Sequence, residues 1–286
     1  MPHRPARHKN TSCVLAYVRP SHIPGKFADD LLGVVLHDAG NQRYLGGPGA
    51  GSIAMQSSPR IAEARSQIVD TFLTAPQFKE AEWLWWLDAD AAFEPDTLSR
   101  LMDQAHATER PIVGALAFGG ANPDNMFPTV YSLEPPPDGG KGWGMDRITD
   151  YPRDALVKVG ATGCHCVIVH RQVFVAMQAA NARRENPSVY PWYAEGMVNS
   201  RTGAPIGEDV FFCLSAQALG IPVHVDTSIK VGHCKEVVLT EELFDQMRRV
   251  WAEKEPTGLF RIDGRSGAME KMGDLTDAEV QEFAIK

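Results

Sequence analysis

Hydrophobic positions along this chain follow two rhythms in turn. Cys13-Val14-Leu15-Ala16-Tyr17-Val18 is an apolar run of strand length; Phe27, Leu31, Val34 and Val35 then recur at helical spacing up to Gly40, a C-cap. A short strand over 43–45 is expected next. Ser58-Pro59 is a helix start, with Ser as N-cap and Pro at the first helical position. Ile61, Ala64, Ile68, Phe72 and Leu73 form its inner face and Pro76 closes it. Trp83-Leu84-Trp85-Trp86-Leu87 is apolar throughout, as suits a strand buried on both faces. Glu94-Pro95-Asp96 opens a helix with Leu98, Leu101, Met102 and Ala105 inward, and 112–118 reads as a further buried strand. This alternation predicts an α/β fold, a sheet of parallel strands with helices on its faces.

The pattern loosens over 119–155, where Pro135-Pro136-Pro137-Asp138-Gly139-Gly140 excludes a regular element. Residues 134–150 are expected to form a loop or hairpin tip, either a lid over a site or a plain surface loop. Val157, Val159 and Cys166 to Val169 suggest a strand pair around Gly160-Ala161-Thr162-Gly163, whose glycines would allow a ligand close to the backbone. A helix over 171–184 precedes an irregular stretch, 186–206, containing Tyr190, Trp192 and Tyr193. Aromatic residues in a loop anchor packing, or stack on sugars and bases. Gly207-Glu208-Asp209 opens a helix ended by Gly220, followed by a strand from Pro222 to Asp226 and then Val231-Gly232-His233. Thr240 caps one C-terminal helix, and Thr276 with Glu279 makes a capping box for another. No composition break divides the chain. The expectation is a disordered tail over 1–10, then one domain over 11–286 with C-terminal helices in 236–286.

Composition adds little beyond exclusions. The chain has 286 residues, 44% hydrophobic and 22% charged, enough for a sizeable core. A net charge of −8 argues against a large duplex nucleic-acid footprint. No apolar run approaches the roughly 18 residues of a membrane span. Five cysteines without scaffold spacing fit a reducing compartment, and a cytoplasmic location is expected.

The chemistry concentrates where the tryptophan-rich strand ends in Asp88-Ala89-Asp90. Two carboxylates one residue apart cannot both be charged in an apolar site without a cation, and a hard divalent ion resolves that conflict. In an open α/β sheet, ligands gather at the carboxyl ends of strands. An acidic turn is the plain alternative. Gly46-Gly47-Pro48-Gly49-Ala50-Gly51 is read as a turn, since Pro48 interrupts the donors a phosphate cradle needs and no Lys-Ser/Thr follows. Arg65 lies beside the buried face of its helix, compatible with a snorkelling surface cation or with one facing phosphate. The acids Glu208 and Asp209 suit a helix dipole in any case. Cys164-His165-Cys166 with His170 could bind zinc, but buried thiols on a core strand explain the cysteines better.

The ordered set of Asp88-Ala89-Asp90, a glycine turn at Gly163, Glu208-Asp209 and the late His233 resembles the metal-dependent nucleotide-sugar glycosyltransferases of the A-type fold. The likeness spans roughly 11–235 and is greatest to the single-domain, family-2-like transferases of bacteria and phages. It implies a Rossmann-like, mixed but mostly parallel sheet flanked by helices, with a nucleotide-binding half over 11–118 and an acceptor half over 119–235. It implies a nucleoside-diphosphate-sugar donor, with a UDP-sugar favoured, and Mn2+ or Mg2+ as the metal. Asp90 and His233 would hold the metal, Asp88 the ribose and the metal through water, and Arg65 and Gly163 would lie near the nucleotide. Asp209 would be the base that deprotonates the acceptor, with Glu208 as its neighbour, and inversion would follow. Tyr190 and Trp192 would face the acceptor, which could be protein, glycan, lipid headgroup or modified nucleic acid. A retaining transferase, a haloacid-dehalogenase-type phosphatase with Asp88 as nucleophile, and a non-catalytic nucleotide- or sugar-binding module remain the alternatives.

Overall fold

A computed structural model describes residues 11–41, 43–56, 60–120, 125–135 and 143–235, and further on 241, 245, 259–262 and 269–273. The chain divides into two compact units, Met1–Lys235 and Glu236–Lys286, at a point where the hydrophobic pattern shows no break.

In the first unit, strand β1 (Cys13–Arg19) leads to helix α1 (Gly25–Gly40), then strand β2 (Gly51–Gln56), helix α2 (Ile61–Thr74) and strand β3 (Trp83–Leu87). A two-residue strand β4 (Ala91–Ala92), helix α3 (Thr97–Gln104) and strand β5 (Ile112–Leu116) follow. Four short strands come next: β6 (Phe118–Gly119), β7 (Phe127–Pro128), β8 (Val130–Glu134) and β9 (Gly144–Arg147). Then come β10 (Leu156–Val159), β11 (Ala161–Thr162), β12 (Cys166–His170), α4 (Arg171–Asn181), α5 (Glu208–Gln217), β13 (Val223–Lys230) and β14 (Gly232–His233).

The central sheet has seven strands in the order β10-β13-β5-β12-β3-β1-β2. Five of them run the same way; β12 runs against both β3 and β5, and β10 runs against β13. The sheet is thus mixed and mostly parallel, as expected. β3 is central and buried on both faces. Leu84 and Trp86 join the layer under α2, α4 and α5 with Ile68, Phe72, Phe174 and Phe212. Trp83, Trp85 and Leu87 join the opposite layer under α1 and α3 with Phe27, Leu98 and Leu101. A strand alternates its side chains, so a run of five apolar residues supplies both layers at once.

Buried polar groups fix the connections. Asp38, near the end of α1, accepts the backbone N–H groups of Tyr44 (2.9 Å) and Leu45 (2.8 Å) and turns the chain towards β2. Arg171, opening α4, donates from Nε to the Ala81 carbonyl at 2.7 Å and from Nη2 to that of Phe72 at 3.0 Å. It thereby satisfies a carbonyl in the last turn of α2 that has no partner within the helix.

Several expectations are corrected. Residues 43–45 are not a strand; Arg43 has a φ of 61° and the strand begins at Gly51, where glycines predicted only a turn. β10 and β12 do not pair with each other: β10 lies against β13 at one edge, and β12 is inserted between β3 and β5. Strand partners are chosen by sheet topology, which sequence proximity does not reveal. The stretch 119–155 contains β8 and β9, which with β11 form a second, three-stranded sheet. The tail 1–10, the Ser58-Pro59 cap and the loop tip at 136–142 lie outside the described residues.

In the second unit, β15 (Leu259–Ile262) and β16 (Met269–Gly273) pair antiparallel where the pattern predicted only helices. Asp263-Gly264 just after β15 is the hairpin signal in the sequence. The helix interiors expected after Thr240 and Thr276 lie outside the described residues, apart from residues 241 and 245, which are helical. No described helix is long and apolar enough to cross a membrane.

Gly160 sits where the two sheets of the first unit meet. A Cβ there would lie 2.5 Å from the Leu133 nitrogen and 2.8 Å from the Tyr131 oxygen, both backbone atoms that cannot step aside. Gly160→Ala is therefore expected to destabilise the fold by about 1–3 kcal/mol, the range for overpacking, read as a lowered denaturant midpoint.

Candidate metal and catalytic site

The site forms at the carboxyl end of β3. Beyond Leu87 the chain turns through Asp88-Ala89-Asp90, with the Ala91 N–H donating to the Asp88 carbonyl at 3.0 Å. β4 then pairs with β14, placing Ala91 opposite His233. The Cys234 N–H donates to the Asp90 carbonyl at 2.7 Å and locks this pairing. The last strand of the unit thereby returns His233 to Asp90, 143 residues away, with Nε2 at 2.8 Å from Asp90 Oδ2.

Arg65 reaches the site from α2 and is 2% exposed. Its Nη2 donates to Asp88 Oδ1 at 2.7 Å, its Nε to Glu208 Oε1 at 3.0 Å, and its guanidinium carbon lies 5.2 Å from the centre of the Trp86 ring. It is neither a snorkelling surface cation nor an open phosphate contact, but the buried counter-ion of two carboxylates from opposite halves of the unit. Burial alone would raise the Asp88 pKa; the Arg65 charge and the His165 hydrogen bond overturn that and hold the carboxyl well below the usual range.

Asp209, beside Glu208 at the start of α5, has no such partner. Burial first, then repulsion by Glu208, pushes its pKa up to about 6. Its Oδ1 accepts the Val210 N–H at 2.7 Å. Gly163 borders it: a Cβ on Gly163 would meet Asp209 Oδ2 and Thr129 at 3.4 Å, ordinary contact, so the glycine lines this carboxylate without being sterically required.

His165, weighed in the sequence only as part of a zinc site with its flanking cysteines, joins this site instead. Its backbone carbonyl accepts the Asp88 N–H at 2.9 Å, extending the antiparallel pairing of β12 with β3 beyond Cys166 and Leu87. Its Nδ1 lies 3.2 Å from Asp88 Oδ2 and 4.0 Å from Asp90 Oδ1, and its Nε2 lies 3.0 Å from the Gly232 carbonyl. One ligand atom each from Asp90, His165 and His233 falls within 4.8 Å of the others, the one such cluster among the described residues. The available signal was its neighbours: thiols either side of His165 fit a buried strand start, immediately after the turn that meets Asp88.

The donor set fits a divalent cation. A carbonyl only accepts, so His233 Nδ1, 3.0 Å from the Phe118 oxygen, carries the ring proton. Its other nitrogen, Nε2, faces the Asp90 carboxylate. A ring N–H held by a backbone carbonyl is the usual support of a metal-binding imidazole.

One expectation fails here. Trp192 is 1% exposed and its indole N–H donates to the Phe174 carbonyl at 2.9 Å, so it is a core residue with no face open to an acceptor. Tyr190 is partly exposed at the edge of the same core. Cys164 and Cys166 pack in opposite layers of the sheet, because Cys164 precedes the regular strand and escapes its alternation. Burial pushes the Cys166 thiol up to about 12 and raises Cys164 as well, so both are inert packing groups rather than zinc ligands.

No protein-family model and no curated protein sequence matches the chain. Among solved structures, A197 from STIV aligns at 13% identity and a TM-score of 0.45, covering 79% of this chain and 87% of that one. GalNAc-T7 with UDP, GalNAc and Mn2+ aligns at 10% identity and 0.46, covering 79% and 44%. The inositol-1-phosphate CTP transferase from T. maritima aligns at 9% and 0.39, covering 84% and 96%. All three TM-scores lie below 0.5, too low to carry function from those proteins to this chain.

Arg65→Met should leave Asp88 and Glu208 partly buried without their cation and cost about 3–5 kcal/mol, the range for a broken buried pair. Because the folded pKa of Asp88 is depressed, its contribution is present above the unfolded carboxylate value and lost as pH falls through the folded one. The gap between wild type and Arg65→Met is therefore expected to narrow below about pH 4, as denaturant melts across pH would show.

Proposed function

We propose that the chain is a metal-dependent glycosyltransferase that moves a sugar from a nucleoside-diphosphate donor, a UDP-sugar by preference, to an acceptor hydroxyl. The observation that carries this is the division of labour among four carboxylates. Arg65 ties down Asp88 and Glu208, leaving Asp90 facing a histidine and Asp209 poised as a base. Asp90 and His233 would hold the metal, with Asp88 beside them for the ribose. When bound, a divalent ion would neutralise charge developing on the leaving diphosphate.

Asp209 takes the proton from the acceptor. A pKa of about 6 leaves it mostly ionised at neutral pH and more basic than an ordinary carboxylate, as general-base catalysis favours. Glu208 cannot replace it while bonded to Arg65. Base catalysis by one carboxylate, with in-line displacement, would give inversion at the anomeric carbon. The phosphatase alternative is disfavoured because Asp88, its required nucleophile, has Oδ1 bonded to Arg65 and Oδ2 against His165. Tyr190, at the rim, remains the aromatic residue proposed to face the acceptor.

Two measurements test this. UDP is expected to raise the melting temperature only when Mn2+ is present, since a ligand at 100 times its Kd adds about 2.7 kcal/mol to native stability. Asp90→Ala should erase the shift, and a shift that survives it would remove Asp90 from the metal site. Asp209→Asn should keep the UDP shift and lose transfer, and the wild-type rate should fall below about pH 6 as Asp209 is protonated. Because the folded pKa of Asp209 is raised, ionising it weakens the fold as pH rises through about 6, so Asp209→Asn should also melt higher than wild type at pH 7.5.

A further inference from the structure

We infer that His165 is a third metal ligand, making this a two-imidazole, one-carboxylate centre that selects ions such as Mn2+, Fe2+, Co2+ or Zn2+ and discriminates against Mg2+. The inference rests on the metal-dependent reading of the same site and adds to it a ligand and an ion class.

Both rings are set in one tautomer by backbone carbonyls. Phe118 takes the Nδ1 proton of His233 and Gly232 the Nε2 proton of His165. The other nitrogen of each ring faces carboxylate oxygens, His233 Nε2 Asp90 at 2.8 Å and His165 Nδ1 Asp88 at 3.2 Å and Asp90 at 4.0 Å. One ligand atom each from Asp90, His165 and His233 lies within 4.8 Å of the others, close enough to share one ion. One divalent ion satisfies both rings at once.

Neighbouring ligand atoms on an ion with bonds of about 2.1 Å lie about 3.0–3.4 Å apart, and the ligand atoms of Asp90, His165 and His233, within 4.8 Å of one another, need only draw together to reach that spacing. The backbone enforces the arrangement, because Gly232 and His233 are adjacent on β14. One two-residue strand thus supplies both a ligand and the carbonyl that orients the second. Imidazole nitrogen is a good ligand for late first-row ions and a poor one for Mg2+, which prefers oxygen and keeps its water.

The test is calorimetric titration of the full chain with Mn2+ alone, repeated with excess Mg2+, alongside the visible spectrum of the Co2+-loaded protein. Wild type is expected to bind Mn2+ without nucleotide, to retain it against a hundredfold excess of Mg2+, and to give a Co2+ spectrum typical of nitrogen ligation. His165→Asn keeps an N–H for Gly232 but offers oxygen to the metal. It should weaken Mn2+ at least tenfold, lower the Mn2+/Mg2+ ratio and alter the Co2+ spectrum. His165→Gln serves where circular dichroism shows that the Asn variant is misfolded. A folded variant with wild-type Mn2+ affinity and spectrum overturns the role of His165 and leaves Asp90 and His233 as the metal site. A wild type that binds no metal overturns the metal-dependent reading as well.

Discussion

One buried cation organises this site. Removing a guanidinium from water costs several kcal/mol, and Arg65 offsets that with two carboxylates and the face of Trp86. Its partners lie 23 and 143 residues further along the chain. The ion pairs therefore join the end of β3 to the start of α5, elements with no direct sequence link. They also sort the acids. Arg65 takes one member of each acidic pair, Asp88 from one and Glu208 from the other, and leaves Asp90 and Asp209 for chemistry. The two released carboxylates then diverge. Asp90 is held below its usual pKa because the hydrogen bond and charge of His233 outweigh its burial, while Asp209, without a direct cation, is pushed up. Pairs of titratable groups with opposite shifts are the signature of assigned acid–base and electrostatic roles.

The sheet supplies the second constraint. A parallel strand between β3 and β5 would bring its last residue to this edge. β12 is antiparallel, so the residues just before its start arrive there, and His165 lies across from Asp88. Its carbonyl extends the ladder and its ring turns into the site. β14 does the complementary job from the far end of the unit, returning His233 against β4. Both rings are anchored through backbone carbonyls, so their orientation depends on strand pairing rather than on other side chains.

Much of the frame could be read from the chain because its signals are local. The apolar run of β3 leaves no face for solvent, and the helical stripes of α1, α2 and α3 stand out. The two acids after Leu87 follow directly from the end of that strand. What could not be read was pairing. Nothing near Val157 or Cys166 reveals that β10 and β12 belong to different parts of the sheet. The edge strand β2 buries only Ile53 and gives little periodic signal. Arg65 could not be distinguished from a surface cation until Asp88 and Glu208 were both beside it, and Trp192, in a loop, looked available because its partner Phe174 is on α4.

The electrostatics also explain why the buried arginine does not make a cation at Asp90 redundant. Arg65 is committed through Nε and Nη2, and its remaining nitrogen, Nη1, is buried without a hydrogen-bond partner. The nearest cation to Asp90 in this arrangement is Lys235, whose ammonium lies 3.4 Å from Oδ2 and is 39% exposed. A solvated lysine balances one carboxylate weakly and cannot coordinate imidazole nitrogens as a metal ion would. A divalent ion meets all three demands, and it would do so beside the base Asp209 without adding positive charge to Glu208, which Arg65 already neutralises. Under the proposed function, the bridge across the site would keep the positive side for the leaving group distinct from the basic side for the acceptor.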